Sequence, residues 1–418
     1  MARPAKTKAK PAVKSHDGGG PSRAVVSRDV VSRTLAQELL QWLAREQRQM
    51  VATIKNLVEM ESPSHSKAAI DKLSQHLAQE FRRIGGKVTL HPQRKAGEHL
   101  QVEFPAGKRG DATLKPILLL GHIDTVWDLG TLRGMPFLIQ KGRLWGPGVY
   151  DMKTGIAQML FAIRALQQIA GGLPRPVAVL LVSDEEVGSE TSRKLTESIA
   201  KKSAAVLVCE PSQGPQGALK TWRKGVGEYT LRVIGRAAHS GVDFGAGESA
   251  VLELAHQLLQ VAEFTDLERG VTVNPGVIRG GTRTNVVPAE AVAEIDVRIK
   301  RLEDAAYVEQ KFRSLKPKNK NCRLEISGGM NRPPMERSEG VARLYELAQR
   351  AGEALCIGVS ESGTGGGSDG NFTAALGIPT LDGLGAVGEG AHATNESVFL
   401  DEIPRRTALL ALLIESIR

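Results

Sequence analysis

The sequence feature that most constrains the fold is an apolar run that ends in three consecutive carboxylates. Residues 177–182 are all apolar and show no helical period, so they predict a strand buried on both faces. Strands of this kind occur in sheets that carry helices on both sides. Asp184, Glu185 and Glu186 follow after one serine. The repulsion between three adjacent charges favours a bound cation at this strand end.

Two more apolar runs end in residue types that bind metal ions. Residues 116–120 lead into His122 and Asp124, and residues 205–209 lead into Glu210. The carboxyl ends of strands in an open α/β sheet line a common crevice, where ligands bind. An isolated acidic triplet is more typical of a solvated loop, but three such strand ends together predict a metal site.

Two loops supply further candidate ligands. Two glycines and a proline, residues 146–148, form a turn that presents Asp151 just before a predicted helix. His392 lies in a glycine-rich loop much later in the chain. The predicted site therefore combines histidine and carboxylate side chains from distant segments, and both are common metal ligands.

Apolar periodicity predicts helices over residues 35–60, 70–81 and 152–169, which alternate with these strands. The alternation predicts an α/β fold whose main domain is a doubly wound mixed sheet. Between residues 225 and 329 the predicted order becomes strand, helix, strand, strand, helix, strand, which is typical of a ferredoxin-like unit. The predicted division is a disordered basic tail (1–34), a main metal-binding domain in two parts (35–224 and 330–418) and an inserted domain (225–329).

The net charge of +9 is concentrated at one end of the chain, because residues 1–35 contain eight lysines and arginines against two aspartates. Such a Lys-, Pro- and Gly-rich segment cannot bury enough apolar surface to fold, so a disordered tail is favoured over a nucleic-acid-binding arm. No apolar run approaches the roughly 18 residues of a membrane span. The first residues also lack the apolar centre of a secretory signal. The sequence therefore predicts a cytoplasmic protein with no membrane partner.

Six motifs, taken in their order along the chain, resemble the dizinc peptidase and deacylase family. That family includes acetylornithine deacetylase, succinyl-diaminopimelate desuccinylase, aminoacylase and carboxypeptidase G. The resemblance extends from about residue 50 to the end of the sequence. The motifs are Gly121-His122-Ile123-Asp124-Thr125, Gly148-Val149-Tyr150-Asp151-Met152-Lys153, Ser183-Asp184-Glu185-Glu186-Val187-Gly188, Cys209-Glu210-Pro211, Ala238-His239-Ser240-Gly241 and the loop around His392.

The resemblance implies two zinc ions per chain, with cobalt or manganese as possible substitutes. His122 and Glu210 would hold one ion, Glu186 and His392 would hold the other, and Asp151 would bridge both. One imidazole with carboxylates at each ion is ordinary catalytic zinc chemistry, because it leaves a position for water.

Two acidic residues have implied catalytic roles. Asp124 lies two residues after His122 and on the same face of an extended segment, so its carboxylate is expected to accept a hydrogen bond from the imidazole. Glu185 precedes Glu186 and points differently. It is expected to act as the general base and later as the acid for the leaving amine.

The inserted domain supplies substrate contacts in the family that this chain resembles. His239 resembles the histidine that crosses from a dimer partner to stabilise the oxyanion, which implies a homodimer through a lid and dimerisation domain. Asn285 and Arg298 match residues that hold the substrate carboxylate, and an arginine can do so with two hydrogen bonds. Gly366 lies in a glycine-dense loop that lacks the Lys-Ser/Thr ending of a phosphate loop. It is expected to form a backbone wall against the substrate.

The implied activity is metal-dependent hydrolysis of an amide bond in a small peptide or an N-acyl amino acid. The paired Glu185 and Glu186 and the residues around His122 look most like those of carboxypeptidase G, which predicts a glutamate carboxypeptidase. Ser368 and the residues before His392 depart from that pattern, so a deacylase of the acetylornithine or succinyl-diaminopimelate type stays open. A non-catalytic binding protein on the same fold is the alternative of another class, although no ligand and no base is missing.

Overall fold

Helices and strands alternate along the computed structural model, which describes residues 32–417. The helices are α1 (Arg33–Glu59), α2 (Lys67–Arg83), α3 (Thr154–Ile169), α4 (Arg193–Ala200), α5 (Ala250–Ala262), α6 (Glu303–Arg313), α7 (Glu339–Leu355), α8 (Gly370–Ala375) and α9 (Glu402–Ser416). The strands are β1 (Lys87–His91), β2 (His99–Phe104), β3 (Ile117–His122), β4 (Leu138–Gln140), β5 (Arg143–Trp145), β6 (Val177–Val182), β7 (Ala205–Val208), β8 (Leu219–Arg223), β9 (Gly225–Ile234), β10 (Thr272–Gly280), β11 (Glu290–Ile299), β12 (Arg323–Arg332), β13 (Glu361–Thr364), β14 (Thr380–Leu381), β15 (Gly388–Glu389) and β16 (Ser397–Phe399). Within the described range, no helix is both long enough and apolar enough to cross a membrane.

The central sheet has the strand order β1-β2-β6-β3-β7-β14. Strands β6, β3, β7 and β14 run parallel, whereas β1 and β2 are antiparallel to their neighbours. All six residues of β6 are buried, as the apolar run predicts. Val179 and Leu181 pack into the core formed with α1, α3 and α9, while Leu180 and Val182 pack towards α4 on the opposite face. The prediction of a doubly wound mixed α/β sheet is confirmed.

The predicted tail, residues 1–34, lies outside the described residues except for its last three. Ser32 accepts a hydrogen bond at Oγ from the backbone amide of Leu35, at 3.3 Å, and so caps the first helix. Helix α1 therefore begins at Arg33, two residues before the predicted start.

A second sheet, with the order β10-β11-β9-β12, is antiparallel throughout. Helices α5 and α6 pack on one of its faces around a separate apolar core, where the Tyr229 and Phe312 rings stack with centroids 3.9 Å apart. The elements follow the predicted order along the chain. This four-stranded unit, Gly225 to Arg332, continues three residues past the predicted end of the inserted domain at residue 329.

A small third sheet brings two distant loops together. Strand β16 pairs with β5, so that Ser397 lies opposite Trp145. The turn that presents Asp151 follows β5, and the loop that carries His392 precedes β16. The pairing therefore places the two loops side by side at the carboxyl edge of the central sheet.

Candidate metal centre

Three neighbouring strands of the central sheet deliver acidic and imidazole side chains to one edge. His122 is the last residue of β3 and lies in register with Val182, the last residue of β6. A single 3₁₀ turn that contains Glu185 and Glu186 follows β6. Glu210 follows β7, the neighbour of β3 on its other side. The parallel register is the reason why these groups meet.

The first half of the cluster surrounds the buried imidazole of His122. Its Nε2 atom lies 3.2 Å from Oδ1 of Asp151 and 3.4 Å from Oε1 of Glu210. His122 is 1% exposed. One imidazole nitrogen thus faces two carboxylates in a site almost closed to water.

The second half mirrors this arrangement around His392. Its Nε2 atom lies 3.1 Å from Oε1 of Glu186 and 3.4 Å from Oδ2 of Asp151. The backbone of His392 has a φ of 63°, a left-handed conformation that histidine adopts more readily than most residues. Asp151 therefore offers one carboxylate oxygen to each imidazole.

The facing carboxylates favour the protonated form of both imidazoles. Hydrogen bonds to Asp151 and Glu186 raise the pKa of His392 to about 10. Burial acts to lower the pKa of His122, but hydrogen bonds to Asp124, Asp151 and Glu210 raise it well above its usual value. A divalent cation would supply the same positive charge in place of these protons.

The donor set fits such a cation. Ligand atoms of His122, Asp151 and Glu186 all lie within 4.8 Å of one another, and so do those of His122, Glu185 and Glu210. Imidazole nitrogens with carboxylate oxygens and no thiolate form a donor set that suits catalytic zinc and also accepts manganese or cobalt.

Asp124 contacts the imidazole of His122 and also the acidic turn that follows β6. The Nδ1 atom of His122 lies 2.9 Å from the backbone carbonyl of Asp124 and 3.5 Å from its carboxylate Oδ1. The carboxylate also accepts hydrogen bonds from the backbone amides of Glu185, at 3.2 Å, and Glu186, at 3.1 Å. These two amides begin a turn and need an acceptor. Asp124 therefore contacts His122 through both its carbonyl and its carboxylate, and the carboxylate also binds the acidic turn.

Glu185 is held by an arginine that the sequence did not single out. Arg332 donates from Nη2 to Oε1 of Glu185, at 2.9 Å, and from Nη1 to Oδ1 of Asp369, at 3.1 Å. Burial raises the pKa of Glu185 well above its usual value, although Arg332 opposes this effect. The only sequence signal for Arg332 is its position before two prolines at the edge of the predicted inserted domain.

A second arginine, Arg223, links a candidate ligand to the glycine-rich loop. Its guanidinium is 3% exposed and donates to Asp382 from Nε, at 2.7 Å, and from Nη2, at 2.9 Å. The Nη2 atom lies 3.5 Å from Oε2 of Glu210, and Nη1 donates to the carbonyls of Gly366, at 3.3 Å, and Gly367, at 3.0 Å. Arg223 therefore connects the backbone of Gly366 to the candidate ligand Glu210.

The other candidate substrate residues lie on the four-stranded unit. Nδ1 of His239 accepts hydrogen bonds from the amides of Gly241, at 3.1 Å, and Val242, at 3.2 Å, so the neutral ring carries its proton on Nε2. His239 and Asn285 are exposed, and their two loops contact each other, since His239 pairs with Val286 and the carbonyl of Asn285 accepts from the amide of Ser240 at 3.0 Å. Arg298 donates to Asp296 at 2.8–3.0 Å and reaches the carbonyl of Gly365 at 3.4 Å. The structure thus brings Arg298 beside the glycine-rich loop, and it leaves His239 and Asn285 apart from the cluster.

This chain is similar to known proteins in both sequence and structure. Residues 118–416 match the sequence family described as peptidase family M20/M25/M40. Carboxypeptidase G2 of Pseudomonas sp. (strain RS-16) is 30% identical over 396 residues, which cover 92% of this chain and 94% of the relative. Succinyl-diaminopimelate desuccinylase of Xylella fastidiosa (strain 9a5c) is 27% identical over 315 residues, or 72% of this chain and 82% of the relative. The crystal structure of aminopeptidase PepT from Bacillus cereus ATCC 10987 superposes with a TM-score of 0.73 at 23% identity, over 89% of this chain and 98% of that one.

Proposed function

Because this chain belongs to peptidase family M20/M25/M40, we propose that it is a two-metal carboxypeptidase that releases C-terminal glutamate from small peptides or N-acyl glutamates. One observation carries the two-metal part of the proposal. Two imidazoles each face a carboxylate of their own, Glu210 for His122 and Glu186 for His392, and both face the shared carboxylate of Asp151.

The proposed ligands divide between two ions as the contacts suggest. His122 and Glu210 would hold one zinc ion, Glu186 and His392 the other, and Asp151 both. Bound zinc would lower the pKa of a shared water and polarise the scissile carbonyl. Cobalt and manganese accept the same donors.

Glu185 is the proposed proton carrier. It lies beside His122 and Glu210, and burial raises its pKa well above the usual value, which strengthens the carboxylate as a base. A group with that property can take a proton from the attacking water and return it to the leaving amine. Arg332 and the hydrogen bond that the backbone amide of Glu185 donates to Asp124 hold Glu185 in place for both transfers.

The preference for glutamate is supported by the 30% identity with carboxypeptidase G2 over nearly the full length of both chains. Arg298 and the backbone at Gly366 are the proposed contacts for the substrate carboxylate. The second candidate is an N-acyl-amino-acid deacylase, which the similarity to the desuccinylase favours. The complete set of ligands and base argues against a binding protein without catalysis.

A substrate panel separates these candidates. The purified full chain is given dipeptides and N-acyl amino acids, first with zinc and then with a chelator, and free amino acid is measured. Chelator-sensitive release of C-terminal glutamate supports the carboxypeptidase. Release confined to acetyl or succinyl amides supports the deacylase, and no release with any substrate overturns both. We further propose that hydrolysis takes place in the cytoplasm, which fractionation of the source cells would test.

A homodimer through the four-stranded unit is part of the proposal. Strand β10 lies at the edge of its sheet, with β11 on one side and no described strand on the other. Ile278 on this strand is 60% exposed, and Leu252 and Leu259 on the adjacent α5 are 63% and 71% exposed. An unprotected edge with apolar neighbours is suited to pairing with the same edge of a second copy. Such pairing would let His239 act at the partner's site, with its Nε2 proton as the donor.

Replacing Ile278 with aspartate is expected to convert the dimer to monomers and to lower turnover, because His239 would no longer reach a partner's cluster. Light scattering and turnover measured on the same sample test this expectation. Ile139 on β4 is 58% exposed and also lies on an edge strand, so Ile139→Asp is the matched control and should stay dimeric. A monomeric wild type with full turnover would contradict the dimer.

Zinc binding at pH 8 is expected to release close to one proton from each imidazole of the cluster. The metal-free His392 has a pKa of about 10, so it still carries its proton at pH 8, and metal ions bind the neutral ring. The apparent affinity should therefore rise as the pH increases towards 10. Calorimetry in two buffers of different ionisation enthalpy counts the protons. His65, whose side chain is 69% exposed, provides the control, since His65→Ala should leave the number of released protons unchanged. If no proton is released at pH 8, the ligand assignment is contradicted.

A further inference from the structure

The carboxylate of Glu396 is buried between the loops that carry Asp151 and His392. It is 0% exposed and accepts four hydrogen bonds. Oε1 accepts from the backbone amides of Tyr150, at 2.9 Å, and Asp151, at 3.0 Å. Oε2 accepts from the amide of Gly148 and from the indole nitrogen of Trp127, both at 2.8 Å.

These bonds connect three segments of the candidate centre. The amides belong to the turn that presents Asp151, and Trp127 lies three residues after Asp124. Glu396 itself closes the loop of His392, because its amide donates to the carbonyl of Ala393 at 2.9 Å. Glu396 thus joins the turn of Asp151 to the loop of His392, and the side chains of these two residues lie 3.4 Å apart.

A carboxylate is the only side chain of this size that can satisfy the site. All four partners are N–H donors, and glutamine offers one oxygen and one NH₂ group. The NH₂ group would face two of the donors and leave them unpaired in a buried place. The turn around Asp151 would then shift or loosen.

We propose that Glu396 is a positioning residue that holds the shared Asp151 carboxylate against His392 and thereby sets the affinity of the metal position between Glu186 and His392. This inference rests on the two-metal site of the proposed function. It concerns a residue that touches neither metal nor substrate, so its effect must pass through the loops of Asp151 and His392, and the His392 loop serves only one of the two ions.

The test is metal titration of the chelator-stripped full chain with Co²⁺, followed by visible absorption. The wild type should bind two ions. In Glu396→Gln, one of the two dissociation constants should rise by about 10–100-fold, the usual effect of losing a residue that supports a ligand, while the other stays within about threefold. The titration curve should resemble that of Glu186→Gln, which loses a ligand of the same ion.

Glu253 provides the matched control for loss of stability alone. It is 2% exposed and accepts from the amides of Lys318 and Asn319 and the side chain of Gln257, all within the four-stranded unit. Glu253→Gln should lower the melting temperature without changing either metal affinity. Should Glu396→Gln fail to fold, Trp127→Phe removes one of the four donors only, and it should weaken the same ion by a smaller factor of about three to ten.

The possible results distinguish the positioning role of Glu396 from the two-metal function on which it rests. A wild type that binds no metal pair overturns both. If the wild type binds two ions, the two-metal proposal stands. The positioning role is then overturned if the variants at Glu396 or Trp127 bind both ions normally or lose both equally.

Discussion

Replacing Glu185 with glutamine is expected to lower turnover by about 10²–10⁴-fold, the usual contribution of general acid–base catalysis. Glutamine keeps the size of the side chain and can still accept a hydrogen bond from Arg332, which also stays bonded to Asp369 and to the backbone carbonyl of Glu185. The fold and the zinc content should therefore remain near those of the wild type. Steady-state kinetics and metal analysis on one preparation check both parts.

The neighbouring residue provides the control. Glu186 has nearly the same position in the chain, but its Oε1 faces His392. Glu186→Gln should lose zinc as well as turnover, whereas Glu185→Gln should lose turnover alone. Full activity in Glu185→Gln would assign the proton transfers to another group, and zinc loss in that variant would make Glu185 a ligand.

Replacing Asp151 with asparagine should have the largest effect on the centre, because its carboxylate is shared by both halves. Burial acts to raise the pKa of Asp151, but the hydrogen bonds to His122 and His392 lower it well below its usual value. The variant should bind at most one ion tightly. Loss of a residue that only hydrogen-bonds to a metal ligand usually lowers activity by roughly 10–100-fold. The loss of turnover in Asp151→Asn should be larger than this. Zinc per chain and turnover are the measurements.

Asp304 serves as the control for losing a buried carboxylate elsewhere. It is 0% exposed and accepts from Arg269 in the four-stranded unit. Asp304→Asn should destabilise the fold and leave the zinc content unchanged. Two tightly bound ions in Asp151→Asn would show that Asp151 does not bridge.

Local patterns predicted the elements of the fold because burial imposes a period on the sequence. The unbroken apolar run of β6 and the helical period of α3 need no knowledge of distant residues. The start of α1 was misplaced by two residues, since Ser32 caps it from within a segment that composition assigned to the tail. Boundaries depend on single hydrogen bonds of this kind, which a periodic pattern does not contain.

The candidate ligands could be predicted because each follows a strand end or a glycine turn. Arg223 and Glu396 could not, since each is defined by partners that are remote in sequence. Asp382 is 159 positions from Arg223, and the amides bound by Glu396 are 245 to 248 positions away. A buried charge and a surface charge look the same in a sequence when the compensating group lies so far along the chain. The substrate residues His239 and Asn285 rest on the family resemblance alone and stay predictions.

The pairing of β16 with β5 has a consequence for how the protein is made. His392 and Glu396 leave the ribosome after every other group of the centre, and β16 must then join a strand that was synthesised some 250 positions earlier. Domains fold as units during synthesis, beginning with the part made first. A nascent chain that lacks this segment can form much of the central sheet, but it lacks His392, one of the five proposed ligands. The proposed two-metal site can therefore be completed only after β16 has been synthesised and has paired with β5.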